Sequence, residues 1–229
     1  MDIDIKHLHC IGILGGTFNP VHNGHIMMAE YALQRKKDME SLVFIPNNLP
    51  AYKDTCEIID TEHRLNMLQI ALQDHPDMCI SRIEIERGGI TYTADTLDEL
   101  LSWNPGLKIY FIIGTDSLKN FDTWFRYRDI LHSCTLLVAD RNSDQRKRQL
   151  WSGKLFEQVP DTRIEFLENE ELALASSDIR QQIAGGHIPE AALPKGVADY
   201  IKEHGLYGFN GCTASAGKKH MLLGGIYEP

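Results

Sequence analysis

Short apolar runs alternate with longer stretches of helical periodicity along most of this chain. Runs rich in β-branched and aromatic residues fall at 10–14, 41–46, 78–85, 108–114, 135–139 and 163–167. Between and after them, apolar positions recur at helical spacing over 26–33, 61–73, 94–103, 117–121, 127–131, 144–156 and 197–204. A strand buried on both faces reads as a continuous apolar run, whereas a helix covering a sheet shows one apolar stripe. The alternation therefore predicts βαβ units and an α/β fold, a doubly wound, mostly parallel sheet with helices on both faces. Ligands of such sheets gather at the carboxyl ends of the strands, near the point where strand order reverses. No internal repeat, low-complexity tract or linker breaks the pattern. One domain is expected over 1–207, with 208–229 as a C-terminal extension of unknown role.

The end of the first run carries the most specific chemistry, Gly15-Gly16-Thr17-Phe18-Asn19-Pro20-Val21-His22-Asn23-Gly24-His25. Two glycines at a strand end let backbone amides approach a phosphate closely. A helix beginning just beyond them offers unpaired N–H groups and a dipole that favours anions. His22 and His25 add donors able to carry positive charge. Strand, glycine turn, histidine pair and helix together describe a cradle for a nucleotide polyphosphate. Taken singly, the glycines could be only a tight turn, and the histidines an unliganded pair or half of a zinc site. Zinc needs further ligands at matching spacing, and the chain has neither CxxC nor HExxH. No metal-ligating set is read from the sequence.

Composition narrows the class. A length of 229 residues suits one sizeable α/β domain, and 43% hydrophobic with 24% charged residues is ordinary for a globular protein. The net charge of −9 argues against a general nucleic-acid binder, so anionic ligands must meet local Arg, Lys, His and helix N-termini. Five scattered cysteines do not form a disulfide framework and fit reduced thiols in the cytoplasm. The first nine residues are too charged for a signal peptide, and no apolar run approaches the ~18 residues of a membrane span. Whether the chain forms a homo-oligomer stays open.

The segment 15–25 resembles the GxFxPxHxGH motif of the nucleotidylyltransferase superfamily, with Asn19 where Asp is common. Further motifs narrow the likeness to the bacterial nicotinate mononucleotide adenylyltransferases. Ile45-Pro46-Asn47-Asn48 with Lys53 resembles their IPNxxPPHK loop, with Ala51-Tyr52 where Pro-His is usual. Glu86 to Leu97 is similar to their RxxxSYTxxTL segment, and Ile112 to Leu118 to their IIGxDSL turn, followed by Thr123-Trp124-Phe125. Leu174-Ala175-Ser176-Ser177-Asp178-Ile179-Arg180 resembles the superfamily's ISSTxIR motif, and Leu206-Tyr207 the usual chain end.

The resemblance implies a Rossmann-like fold and transfer of AMP from ATP to nicotinate mononucleotide, giving nicotinate adenine dinucleotide and pyrophosphate. Mg²⁺ would accompany ATP. The ATP site would comprise Gly15, Gly16, Thr17, Phe18, His22, His25, Ser176, Ser177 and Arg180, with His22, His25 and Arg180 carrying the catalysis. The mononucleotide site would comprise Asn47, Lys53, Tyr92, Thr93, Gly114, Asp116, Trp124 and Phe125. Each residue also has an ordinary reading. Trp124 could be a core aromatic, Asp116 a helix N-cap, and Ser176-Ser177 the cap of an amphipathic helix. A sister transferase with another acceptor, nicotinamide mononucleotide or phosphopantetheine, would share the ATP motifs. So would a non-catalytic nucleotide-binding protein.

Overall fold

A computed structural model describes residues 5–51, 57–140, 145–168 and 174–209. The apolar runs form one six-stranded sheet in which every pairing is parallel. Its strands are β1 (Cys10–Gly16), β2 (Ser41–Pro46), β4 (Met78–Ile80), β6 (Lys108–Gly114), β7 (Thr135–Asp140) and β8 (Arg163–Glu168), in the order β4-β2-β1-β6-β7-β8. β1 lies at the centre with β2 on one side and β6 on the other, so strand order reverses there. A separate ribbon pairs β3 (Leu49–Pro50) with β5 (Ile90–Thr91) in parallel.

Alternation within β1 divides the core. Ile11 and Ile13 enter one buried cluster with Val43, Ile45, Leu97 and Phe111, while Cys10 and Leu14 enter the other with Leu42, Phe44, Leu68 and Ile179. Each face is sealed by helices whose apolar stripes meet it. The second cluster is covered by α1 (Asn23–Arg35), α2 (Thr61–Leu72), α8 (Ser176–Ala184) and α9 (Val197–Glu203); the first by α4 (Thr93–Trp103), α6 (Tyr127–Ser133) and α7 (Gln145–Gln158).

Three expectations need correction. The run at 78–85 is not one strand. β4 stops at Ile80 and a short helix, α3 (Ile83–Arg87), follows. Ile83-Glu84-Ile85-Glu86 alternates like a strand, yet Ile83 and Glu84 are both buried and the Ser81 hydroxyl accepts the Ile83 N–H at 3.4 Å, turning the chain. The helix placed at 117–121 instead begins where β6 ends, as α5 (Thr115–Lys119), followed by a 3₁₀ turn at Phe121–Thr123. Its N-cap is Gly114, so Asp116 sits in the first turn and does not cap.

Gly196 precedes α9 at φ +85°, and a Cβ there would stand 2.9 Å from Ile70 Cγ2 on α2. Both the left-handed backbone and the contact oppose a side chain. Gly196→Ala should therefore destabilise the fold by about 2 kcal/mol. Urea unfolding reads this directly, and a loss below about 0.5 kcal/mol would show that the α2–α9 junction yields.

Candidate active site

The turn leaving β1 is held from several sides. A Cβ on Gly16 would lie 3.1 Å from the Phe18 ring, so the glycine admits that ring. Phe18, at φ 50°, is buried against Phe44 and meets the His25 ring edge-on at 5.1 Å between centroids. Asn19 is buried; its side chain donates to the Glu57 carbonyl at 2.9 Å and accepts the Ile59 N–H at 3.4 Å. Asn in this place of the motif thus docks residues 57–59 onto the turn. Beneath, the Arg64 guanidinium donates to the Thr17 carbonyl and to the Thr61 hydroxyl, both at 3.0 Å.

The histidines stand at the start of α1. His22 is its N-cap residue, buried, and His25 is the third residue of the helix. Their rings stack with centroids 3.7 Å apart, 25° from parallel. The His22 backbone N–H donates to His25 Nδ1 at 3.2 Å. With Nδ1 an acceptor, a neutral His25 carries its proton on Nε2 and offers it as a donor. His25 lines a cavity of about 300 Å³ with Thr17, Phe18, Ser176 and Arg180; His22 is not in that lining.

Helix α8 brings the ISSTxIR-like residues to the same cavity. Neither serine caps it. Ala175 occupies the N-cap, while the Ser176 hydroxyl donates to the Pro20 carbonyl at 3.0 Å and Ser177 Oγ to Asp178 Oδ1 at 3.4 Å. The serine predicted as a cap instead ties α8 to the β1 turn. Arg180 donates to the Asn19 carbonyl at 3.0 Å and to Glu57 Oε2 at 2.7 Å. A second cavity of about 580 Å³ continues past Ser177 and Arg180 to Gln181 and Tyr207.

On the other side of β1 lies a cleft of about 230 Å³ whose lining includes Gly15, Gly16, Asn47, Tyr92, Thr93 and Trp124. The Asn47 N–H donates to the Gly16 carbonyl at 3.0 Å and its side-chain amide to Thr17 Oγ1 at 3.3 Å, while Asn47 Oδ1 is buried with no partner among the described residues. Trp124 stacks on Phe121 at 4.9 Å, and Phe125, half exposed and also in the lining, tilts against Tyr92 at 4.6 Å. Trp124 thus packs on a core residue and also borders the cleft. Gly114 and Asp116 end β6 and open α5, and Asp116 is exposed; neither lines this cleft, although Ser117 does. Lys53 lies outside the described residues.

Four residues not singled out by sequence also belong here. Arg64 is 1% exposed, and burial holds its pKa below the ordinary value. Its signal was available, since it occupies the apolar face of α2 in register with Leu68 and Ala71. Glu57 occupies the Arg180 fork. Tyr207 borders the larger cavity. Glu84 lines the cleft at 7% exposure and accepts the Thr96 hydroxyl at 2.6 Å. Burial pushes its pKa up to about 7, against the opposing pull of that hydrogen bond and of Arg87. Among the described residues no group of three or more His, Cys, Asp or Glu could hold a metal ion. Nor, among those residues, is any helix long and apolar enough to cross a membrane.

The chain that carries these two cavities is similar to known proteins over most of its length. The family model described as cytidylyltransferase-like matches residues 13–182. A protein of Lachnoclostridium phytofermentans named "Probable nicotinate-nucleotide adenylyltransferase" is 36% identical over 197 residues, covering 86% of this chain and 98% of its own. The chain belongs to the nicotinate-nucleotide adenylyltransferase family. Another relative of that family and name, from Lactococcus lactis, is 34% identical over 86% of this chain and 94% of its own. The fold is shared with the Plasmodium falciparum nicotinic acid mononucleotide adenylyltransferase solved with NaAD, at a TM-score of 0.70 and 18% identity over 88% of this chain and 98% of that one.

The raised Glu84 pKa makes stability depend on pH. The folded chain holds this proton more tightly than the unfolded chain, whose value is the ordinary 4.5. Its contribution is therefore intact below about pH 4 and is lost as pH rises through about 7. Glu84→Gln cannot ionise, so from about pH 4 to about pH 8 the variant should gain on the order of 3 kcal/mol relative to the wild type. Urea unfolding at both pH values measures this. The same difference at both would mean that Glu84 is not a buried ionisable group.

Proposed function

We propose that this chain transfers AMP from ATP to nicotinate mononucleotide, releasing pyrophosphate and forming nicotinate adenine dinucleotide. The observation that carries the reading is the stacked His22–His25 pair at the strand-order reversal, with an α8-side cavity and an aromatic cleft on either side of Gly15–Gly16. ATP would lie on the α8 side and the mononucleotide in the cleft, so that their reacting phosphates meet over the glycines. A 5′-phosphate oxygen of the acceptor attacks the α-phosphorus, and the bond from that phosphorus to the bridging oxygen breaks. The electron pair leaves with pyrophosphate. A phosphate dianion is already a nucleophile, so the chain's task is positioning and stabilising the charge that develops.

His25 suits the α-phosphate and the bridging oxygen, because its proton is held on Nε2. His22 would act largely through His25, stacking on its ring and supplying the backbone N–H that sets its tautomer. Arg180 would take the β,γ end and give up Glu57, an exchange that costs little because the Glu57 side chain is 70% exposed. Ser176, Ser177, Thr17 and Phe18 would shape the same pocket. Mg²⁺ is a companion of the ATP substrate, held mainly by phosphates and water. In the cleft the pyridine ring would stack on Trp124, and the backbone N–H groups of Thr93 and Phe125 would meet its carboxylate. Asn47, Tyr92, Gly114, Asp116 and Lys53 complete the proposed acceptor site. Cys10, Cys79 and Cys134 are free thiols, in keeping with a cytoplasmic setting.

Pyrophosphate release from MgATP with each candidate acceptor in turn tests the reading. Nicotinate mononucleotide should exceed nicotinamide mononucleotide by at least ~10²-fold in kcat/KM, because donors aimed at a carboxylate are left badly matched by an amide. Equal values would remove the specificity claim, and no release with any acceptor would remove adenylyl transfer.

Loss of a transition-state donor gives the second test. His25→Ala should lower turnover ~10²-fold while ATP binding falls much less. Trp124→Ala should raise the KM for the mononucleotide well above any change for ATP. Turnover unchanged in a folded His25→Ala protein would take the histidine out of the chemistry.

A further inference from the structure

The last described turn places a tyrosine hydroxyl where no other described residue accepts its proton. Leu206–Gly208 is a 3₁₀ turn packed against α8 and α9, with Leu206 in the core beside Ile179 and Ile183 of α8. Glycines on either side take positive φ, as glycine readily does. Tyr207 between them also does, at φ 59° and ψ 29°, a conformation that costs a residue with a side chain free energy. That backbone directs an aromatic ring to the cavity of about 580 Å³ that it shares with Ser177, Arg180 and Glu57.

The hydroxyl at the end of the ring is buried and has no hydrogen-bond partner among the described residues. A buried orphan of this kind is costly, and native structures keep few of them. Burial pushes the phenol pKa far above its ordinary value, while the positive fields of Arg180 and then Arg64 oppose that shift. Tyr207 therefore keeps its proton and remains a donor. Guanidinium groups only donate, so neither arginine can accept that proton. Beside two cations, an anionic acceptor is the most favourable one. Glu57 Oε2, 2.7 Å from Arg180, marks where an anionic oxygen sits at this arginine.

We propose that the Tyr207 hydroxyl is a further nucleotide-binding group, donating to a phosphate oxygen at the β,γ end of ATP, and of pyrophosphate, beside Arg180. The proposal rests on the ATP reading above and adds a residue to it. No bond is made or broken at Tyr207; its effect is on affinity for the polyphosphate.

Tyr207→Phe removes the hydroxyl and keeps the ring. Calorimetric titration with inorganic pyrophosphate, MgATP and adenosine should show pyrophosphate and MgATP affinity falling about tenfold, as for a hydrogen bond to a charged group. Adenosine affinity and the KM for the mononucleotide should stay unchanged. Tm should hold or rise, because the variant loses an unsatisfied polar group; a purely structural hydroxyl would instead lower Tm and leave affinities alone. Equal pyrophosphate affinity in the two proteins overturns the proposal. Loss of adenosine affinity with pyrophosphate intact overturns it too, by moving the hydroxyl to the base. A wild-type protein that binds neither pyrophosphate nor MgATP overturns the ATP reading itself.

Discussion

The hydrogen bond from the buried Arg64 guanidinium to the Thr17 carbonyl, 3.0 Å long, is the constraint on which the site depends. Parallel strands end in a chain reversal, and a glycine-rich reversal has little stiffness of its own. Arg64 fixes this one from below, while Asn47 donates to the Gly16 carbonyl and Thr17 hydroxyl from the side and Ser176 donates to the Pro20 carbonyl from α8. Three elements distant in sequence thus hold the turn at Gly16–Pro20. The histidine pair inherits its position from that turn, because α1 begins three residues beyond it, at Asn23.

Arg64 also brings a cost. A guanidinium with 1% exposure has lost most of its hydration, and among the described residues its hydrogen bonds go to a carbonyl and a hydroxyl, not to a carboxylate. Buried charges are ordinarily paired. A cation left this way directly beneath a proposed phosphate site is destabilising for the empty protein and favourable once a polyphosphate arrives. Arg180 is tuned in the opposite sense, since its fork is filled by an exposed carboxylate that an incoming phosphate can displace. One arginine raises the gain on binding, and the other keeps the pocket in shape before it.

The strands were legible because a parallel strand covered on both faces is apolar throughout, and the strand-order reversal then located the site before any side chain was placed. The glycine turn and histidine pair were legible because their partners are local. What the sequence hid depends on distance along the chain. Ser176 was read as a cap from its neighbours, but its acceptor is 156 residues away at Pro20. Glu57 and Tyr207 join Arg180 only through the fold. The α3 turn was misread because Ile83-Glu84-Ile85-Glu86 has strand periodicity, and the burial of Glu84, which breaks that pattern, follows from its bond to Thr96 twelve residues on. Local pattern finds elements and local motifs; residues that act through long-range contacts leave at most an oddity, such as an arginine on the apolar face of α2.

The two sides of β1 differ in charge, and that difference fits the proposed chemistry better than a general affinity for nucleotides would. The α8-side cavity is lined by Arg180 and His25, with Arg64 buried behind its Thr17 carbonyl, while the described lining of the opposite cleft holds no lysine or arginine and includes the buried Glu84. In adenylyl transfer the leaving pyrophosphate accumulates negative charge, whereas the attacking phosphate gives charge up. Cations placed on the leaving side lower the barrier, because their interaction strengthens as the reaction proceeds. Several cations clustered on the nucleophile would instead stabilise the ground state and blunt its attack; the acceptor site proposed above has one, Lys53. The aromatic walls of the cleft bind a flat ring without that penalty. In a chain of net charge −9, His25 and Arg180 thus stand on the side where charge would build up.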